Sequence, residues 1–600
     1  MHRTAFGAVR MREKDMSLSN EQKLQEHLAF IYGEEQASTL KERVMAIMNR
    51  FSKEHLEGIP REGGNEVSER DTIVIAYGDI IRQEGQPHLK TLGTFLKRHL
   101  AGRVYSIHIL PFYPYSSDDG FSIIDYRAVN PALGSWKDFS ELGQDFKLMV
   151  DVVLNHISRE SDWFKGFLQG DPAYQDYFIV PDDSWDLSKV VRPRALPLLS
   201  TYNSVNGPVK AWTTFSDDQI DLNFANPEVL LEMLDLLLFY VSQGASIIRL
   251  DAIAYLWKQS GTGCIHLPQT HRVIKIMRLM LEMVAPYVIL ITETNVPHEE
   301  NISYFGAISE DTGKTDEAHM VYQFPLAPLV LHTLQVGSSS RINDWVASLE
   351  PVGIFFNFIA SHDGIGVLPA IGILDDREIE GIIARVHENG GLVSNRSNPD
   401  GSLTVYELNT TLFDALNDPK NPDPEHDIAR FIASQVILLS LAGIPGIYYH
   451  SLFGSHNSME MVRQTGRSRS INREKFEINT LEAMLSDPSN IHAQIFDQYR
   501  KLLKIRTRQP AFHPRGGQRV VRVSDEVFVL ERESVDRSSA VLVLVNVTEK
   551  SLPITLNLQG ICLDQAIGVE DLISGERLQV IDNNLALELK PYQSLWLISR

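Results

Sequence analysis

The chain has 600 residues, of which 43% are hydrophobic and 22% charged, so it can build a large packed core and is not a mostly disordered polypeptide. A formal charge of −21 and a pI near 5.4 set a repulsive field against phosphate polymers and anionic lipid heads, which argues against nucleic-acid and membrane partners. An anionic small substrate would need a local arginine cluster working against that field.

The opening stretch MHRTAFGAVRMREKD lacks the apolar centre of a secretory signal, and no run approaches the roughly 18 apolar residues of a membrane span. Cys264 and Cys562 are far apart and form no disulfide framework or CxxC knuckle, which fits a reducing, cytoplasmic compartment. Met11 and Met16 are alternative starts, and the first fifteen residues are expected to carry no function.

Residues 19–53 read as helical, with Leu40, Val44, Ile47, Met48 and Phe51 spaced along one buried face. EGIPREGGNEVSERD then combines glycine, proline and charge as a linker. From Thr72 short apolar runs alternate with helical segments: TIVIAYGD, VYSIHILPF, LMVDVVLNH, ASIIRLDAI, YVILITETN and GIFFNFIASHD. Continuous apolar runs suit strands of a parallel sheet covered on both faces. Asn226-Pro227-Glu228 has the N-cap, first-position proline and early negative charge of a helix start, and Gly244 closes that helix.

Two spacers, residues 157–226 and 364–428, are rich in Pro, Gly, Asn and Asp and too long to be plain connections. After RQPAFHPRGG the chain turns to strands without helices. The expected architecture is an α/β protein: a (β/α)8 TIM barrel with two inserted subdomains and a C-terminal antiparallel β-domain. Its parts are a helical extension and linker (1–71), barrel segments (72–156, 227–363 and 429–514), the two insertions, and the β-domain (515–600).

The runs end repeatedly in ionisable groups: Asn155-His156, Arg249-x-Asp251, Glu293 and His362-Asp363. In a parallel barrel those positions lie at the C-terminal mouth, where active sites are built. Arg249 and Asp251 are two apart and share one face of their strand, and burying both charges is costly unless they are paired. Glycoside chemistry needs two carboxyl groups flanking the bond, one to attack the anomeric carbon or activate water and one to protonate the leaving oxygen. Asp251 and Glu293 end successive strands, and strands about 4.8 Å apart can bring two carboxyls near the roughly 5–5.5 Å of a retaining mechanism.

SSDDGFSIIDY, VVLNH, IIRLDAIAY, ITETN and ASHDG resemble, in order and spacing, the sequence regions of the alpha-amylase clan. The resemblance implies Asp251 as nucleophile, Glu293 as acid/base and Asp363 as the third carboxylate, with Arg249, His156 and His362 lining a glucose subsite. VRPRALP, LDAIAYLWKQSGTGC, HDGIGV and SINRE are similar to sucrose phosphorylase and its relatives. That likeness implies that Asp118 and Arg473 pair to close the pocket behind one glucose, that Phe215 is an aromatic platform, and that Arg194 binds phosphate. An always-charged planar guanidinium suits that last role, since phosphate must outcompete water.

On the acceptor side Leu403-Thr404-Val405-Tyr406-Glu407 stands where those enzymes carry a stretch like L-D-L-Y-Q, so Thr404 replaces an aspartate that helps hold fructose. Asn295 stands where they have a histidine. Tyr406 and Glu407 in YELN, the Thr-Glu-Thr-Asn around Glu293, INREK and the helical N-terminus resemble instead the glucosylglycerate phosphorylases. Glycerate is an anion, and Arg396 in SNRSNPDG lies near the loop that should touch it.

The implied function is phosphorolysis of a small alpha-glucoside, first of all glucosylglycerate, by inorganic phosphate to alpha-glucose 1-phosphate. Phosphorylases of sucrose, sucrose 6'-phosphate or glucosylglycerol are alternatives, followed by a hydrolase or transglucosidase. A non-catalytic amylase-like partner protein would lack the three carboxylates. No residue cluster has metal-ligand spacing, Asn155 reads as a polar group orienting its loop, and no cofactor is expected.

Overall fold

The computed structural model describes residues 18–55, 66–194, 196–309, 313–350, 352–397 and 402–600. The alternative starts at Met11 and Met16 and residues 57–65 of the linker lie outside the described residues.

Eight parallel strands close into a barrel: β1 (Ile73–Ala76), β2 (Ser106–Ile109), β3 (Lys147–Val153), β4 (Ala245–Asp251), β5 (Ile289–Thr292), β6 (Met320–Gln323), β7 (Ile354–Asn357) and β8 (Ile444–Tyr448). Neighbours follow chain order around the ring, with β8 closing on β1. The strands are almost wholly buried, which accounts for their unbroken apolar runs.

Six strands coincide with the six runs read from the sequence; β6 and β8 were not among them. β8 contains Pro445 and Gly446, both poor strand formers. Gly446 is required by packing, since a Cβ there would come within 2.3 Å of the Phe356 ring on β7.

The expected N-terminal helical segment is two helices, α1 (Asn20–Tyr32) and α2 (Glu34–Glu54). Ser19 caps α1 in a capping box with Gln22. The break falls at Gly33, whose φ of 84° lies in the left-handed region open to glycine. Leu40, Val44, Met48 and Phe51 are buried as the spacing predicts, and Ile47 is half-buried. The hairpin packs on two barrel helices, α3 (Pro227–Ser242) and α4 (Pro268–Val284). Asn226 caps α3 by accepting the Glu228 N–H, with Pro227 in its first turn.

Between β3 and α3 the chain forms a strand His156–Ser158 paired with Gln219–Asp221, and a hairpin of Leu199–Ser204 with Gly207–Trp212. After β7, Ile365–Gly366 pairs with Leu403–Asn409, which pairs with Leu392–Ser397. These segments follow the strand ends at the barrel mouth. The C-terminal part is an antiparallel six-stranded sheet with a two-stranded companion and a core of its own.

Candidate active site

The strand ends surround a cavity of about 370 Å³. Its floor is organised by Arg249, which is 2% exposed and projects inward from β4. Parallel register sets Asp151 of β3 beside Arg249, and Arg249 beside Ile291 of β5. The guanidinium donates to Asp151, to Asp251 Oδ1 at 2.6 Å and to the Tyr322 hydroxyl at 2.9 Å; its Nη2 lies 3.8 Å from Glu293 Oε2. His108 Nε2 meets the other oxygen of Asp151 at 2.7 Å. Burial alone would raise Asp151, but Arg249 and His108 overcome it and hold this carboxylate at about 2. The buried cation is therefore balanced on three sides.

Asp251 and Glu293 are thus neighbours that share one guanidinium. Burial, and the other carboxylates around them, raise both above the ordinary carboxylate range against the pull of Arg249. Two such groups retain a proton between them. Asp251 is pushed up to about 8 by its burial, yet it is the member of the pair in direct contact with the guanidinium, and that contact favours the shared proton on Glu293. Asp251 takes a direct charged hydrogen bond, whereas Glu293 has the longer approach to Arg249 and one backbone donor, the Ala252 N–H at 3.1 Å.

Asp363 follows β7. Arg469 Nη1 lies 2.6 Å from its Oδ1, with His362 Nε2 at 3.4 Å and Arg473 Nη2 at 3.8 Å. Burial is the largest influence and raises it, but the arginines, Arg469 foremost, hold Asp363 far below the usual carboxylate range. The next residue, Gly364, has φ 103°, and a Cβ there would sit 2.3 Å from the Leu408 carbonyl. That close approach seats Asp363 against the strand Leu403–Asn409.

The rings form the walls. His362 stacks on Phe121 with centroids 5.1 Å apart and planes 4° from parallel. His156 donates from Nε2 to the Phe121 carbonyl at 3.1 Å and lies 5.2 Å from the Phe215 ring. Burial pushes His156 down to about 4 and His362 to about 3, so both are neutral near pH 7. Phe215 carries the Arg194 guanidinium 5.8 Å over its ring.

Several expected positions differ in detail. Arg473 was expected to pair with Asp118; its Nη1 instead meets Asp119 at 2.6 Å, and its Nε donates to the His362 carbonyl. Asp118 faces Arg194 at 3.9 Å and Arg467 at 3.8 Å. Both aspartates have positive φ, 55° and 49°, a local backbone reversal that redirects side chains in a way sequence order does not reveal. Asp118 lines the cavity and Arg473 does not.

Tyr406, Glu407, Arg396 and Arg194 line the cavity, whereas Thr404 is exposed and off its wall. Glu407 is turned into a two-pronged pair with Arg469, at 2.9 and 2.7 Å. The Arg396 Nε is buried in the cavity wall without a hydrogen-bond partner among the described residues.

Arg469 and Lys258 were not found from the sequence. Lys258 donates to Asn155 Oδ1 at 2.7 Å and lies 2.6 Å from Asp221 Oδ2, while Asn155 donates to the same Asp221 oxygen at 2.9 Å. An internal ammonium thus neutralises the pocket behind His156. No group of three or more His, Cys, Asp or Glu arranged to hold a metal occurs among the described residues.

Barrel and carboxylates together define an alpha-amylase-type enzyme, and the profile "Alpha amylase, catalytic domain" matches residues 101–363. Glucosylglycerate phosphorylase of Spirochaeta thermophila is 46% identical over 586 residues, covering 96% of this chain and 98% of that one. That of Allomeiothermus silvanus is 47% identical over 584 residues, with the same coverage. The crystal structure of sucrose 6F-phosphate phosphorylase from Thermoanaerobacter thermosaccharolyticum shares the fold with a TM-score of 0.70 at 24% identity, covering 82% of this chain and 95% of that one. The chain belongs to the glucosylglycerate phosphorylase family.

Proposed function

We propose that the chain cleaves glucosylglycerate with inorganic phosphate, releasing glycerate and α-D-glucose 1-phosphate by two displacements. The observation that carries this reading is the shared guanidinium of Arg249. It gives Asp251 the direct charged hydrogen bond and Glu293 the longer approach, the asymmetry a nucleophile and a proton donor need, in a cavity also lined by Arg194 and Arg396.

An Asp251 oxygen attacks the anomeric carbon as the bond to the glycerate oxygen breaks, and Glu293 protonates that oxygen. The product is a β-glucosyl ester on Asp251. Glu293, now a carboxylate, takes a proton from phosphate as a phosphate oxygen attacks the same carbon and expels Asp251. Two inversions retain the configuration. Asp363, held ionised by its cations, stabilises the positive charge that develops on the sugar ring in both steps.

Asp118, His156, Arg249 and His362 line or support the glucose subsite in this reading, Phe215 is its aromatic wall, and Arg473 fixes its far side through Asp119. Arg194 receives phosphate, and Tyr406 faces the acceptor side. The Arg396 Nε, without a partner among the described residues, supports a carboxylate on the acceptor, because a buried guanidinium donor is best satisfied by a charged acceptor.

Among the described residues no helix is long and apolar enough to cross a membrane, and both cysteines are free, which supports a reducing cytoplasmic setting. The test is glucose 1-phosphate release from glucosylglycerate, glucosylglycerol, sucrose and sucrose 6'-phosphate, with and without phosphate. Glucosylglycerate with phosphate should be preferred. Release of free glucose at the same rate without phosphate would make the enzyme a hydrolase.

A further inference from the structure

Arg469 occupies the junction between the donor and acceptor halves of the cavity. It is carried by the segment after β8, far in sequence from everything it touches. Its Nε and Nη2 grip both oxygens of Glu407, which is 1% exposed, and its Nη1 lies 2.6 Å from Asp363 Oδ1. Nη2 also lies 3.4 Å from the Tyr406 hydroxyl. A guanidinium has no acceptor, so in that contact the tyrosine oxygen must accept and its own hydrogen is left to point elsewhere. A planar fork can serve two carboxylates at once, which a lysine ammonium cannot do with the same direction.

The Glu407 side is the anchor. Asn409 Nδ2 donates to Glu407 Oε2 at 3.1 Å and to the Asp363 carbonyl at 3.3 Å, so the same strand fastens both ends of the bridge. Glu407 is thereby committed within the protein rather than offered to a ligand.

We infer that Arg469 is a positioning residue for glucosyl transfer: anchored by Glu407, it fixes the orientation of the Asp363 carboxylate and of the Tyr406 hydroxyl. The inference rests on Asp363 having the role given above. It predicts that Arg469 governs the rate of transfer more than the binding of the donor, and that it acts on any donor, because Asp363 serves the glucosyl centre whatever leaves from it.

The test compares wild type with R469Q/E407Q, R469K and E407Q, using phosphorolysis of glucosylglycerate and of α-glucosyl fluoride. The double variant removes the guanidinium without stranding the Glu407 carboxylate, since the two amides can bond to each other, and it leaves Asp363 with Arg473 at 3.8 Å. It should lose about 100-fold in kcat on both donors with little change in KM, the scale of a misplaced catalytic group. R469K should recover little. E407Q keeps the arginine but loosens its anchor and should lose about tenfold in kcat, which provides a second measurement should the double variant fold poorly.

A kcat within a few-fold of wild type in E407Q and the double variant, or a loss confined to KM, overturns the inference. Wild type that consumes the fluoride but leaves glucosylglycerate intact would overturn the substrate reading alone, with Arg469 still judged on the fluoride.

Discussion

Asp251→Asn keeps the side-chain volume but replaces the attacking carboxylate with an amide that cannot form the glucosyl ester. Turnover should fall on the order of 10⁴-fold while the fold is retained, measured as phosphate-dependent glucose 1-phosphate release beside circular dichroism. Glu293→Gln removes the proton donor instead. Glycerate is a poor leaving group and should lose roughly 10²–10⁴-fold, whereas glucosyl fluoride needs little protonation and should still load the enzyme. Equal losses on both donors would take Glu293 out of that role.

The same pair sets the pH profile. Glu293 must be protonated to act as the acid, and burial with facing carboxylates raises it. Activity on glucosylglycerate should therefore fall as pH rises through a value above the ordinary carboxylate range, and the inflection belongs to the pair with Asp251. In Glu293→Gln assayed with glucosyl fluoride that alkaline fall should disappear. Its persistence would assign the titration to another group.

Elements decide which of these residues could be read in advance. Arg249 and Asp251 were legible because strand alternation puts positions two apart on one face, and the run that carries them is unmistakably a buried strand. Arg469 was not legible, because its partners Glu407 and Asp363 are assembled by pairing between segments distant in the chain. The partner of Arg473 is Asp119 rather than Asp118, in a turn where two consecutive residues have positive φ and sequence order does not reveal which side chain points where. β8 was hidden by Pro445 and Gly446, which tertiary packing against Phe356 accommodates despite low strand propensity.

The strand pair Leu392–Ser397 and Leu403–Asn409 is the element on which the acceptor prediction rests, since it aligns Arg396 beside Thr404 and carries Tyr406. In the synthetic direction, Arg396→Ala should cost about 10- to 100-fold in kcat/KM for glycerate and little for uncharged glycerol, the value of a charge-assisted bond. Arg194→Ala should instead raise KM for phosphate and divert the glucosyl-enzyme to water, seen as free glucose. If Arg396→Ala weakens glycerate and glycerol alike, the pairing with the acceptor carboxylate is wrong.

The molecule as a whole is a barrel with attachments, and the α1–α2 hairpin shows which force holds such an attachment. Its polar links include Tyr32 to the Phe224 carbonyl at 2.9 Å, Arg272 of α4 to His27 Nδ1 at 2.8 Å, the Arg43–Glu228 pair and the Arg50–Asp235 pair. Arg43 and Glu228 are 46% and 48% exposed, and pairs this open contribute about 0–1 kcal/mol once solvent screening is counted. Leu28 and Val44, by contrast, are fully buried in the continuous core that the hairpin shares with the barrel. Leu28→Ala should therefore destabilise the hairpin by about 2–5 kcal/mol through lost burial and the cavity left behind. Arg43→Ala should stay within about 1 kcal/mol of wild type. Limited proteolysis provides the measurement, since cleavage within residues 18–55 reports opening of the hairpin while the barrel remains intact. Faster cleavage in Leu28→Ala with unchanged cleavage in Arg43→Ala is the expected result. The reverse order would mean that charge, not burial, docks the hairpin. Because the hairpin contacts α3 and α4 and none of its residues line the cavity, undigested Leu28→Ala should keep wild-type kcat.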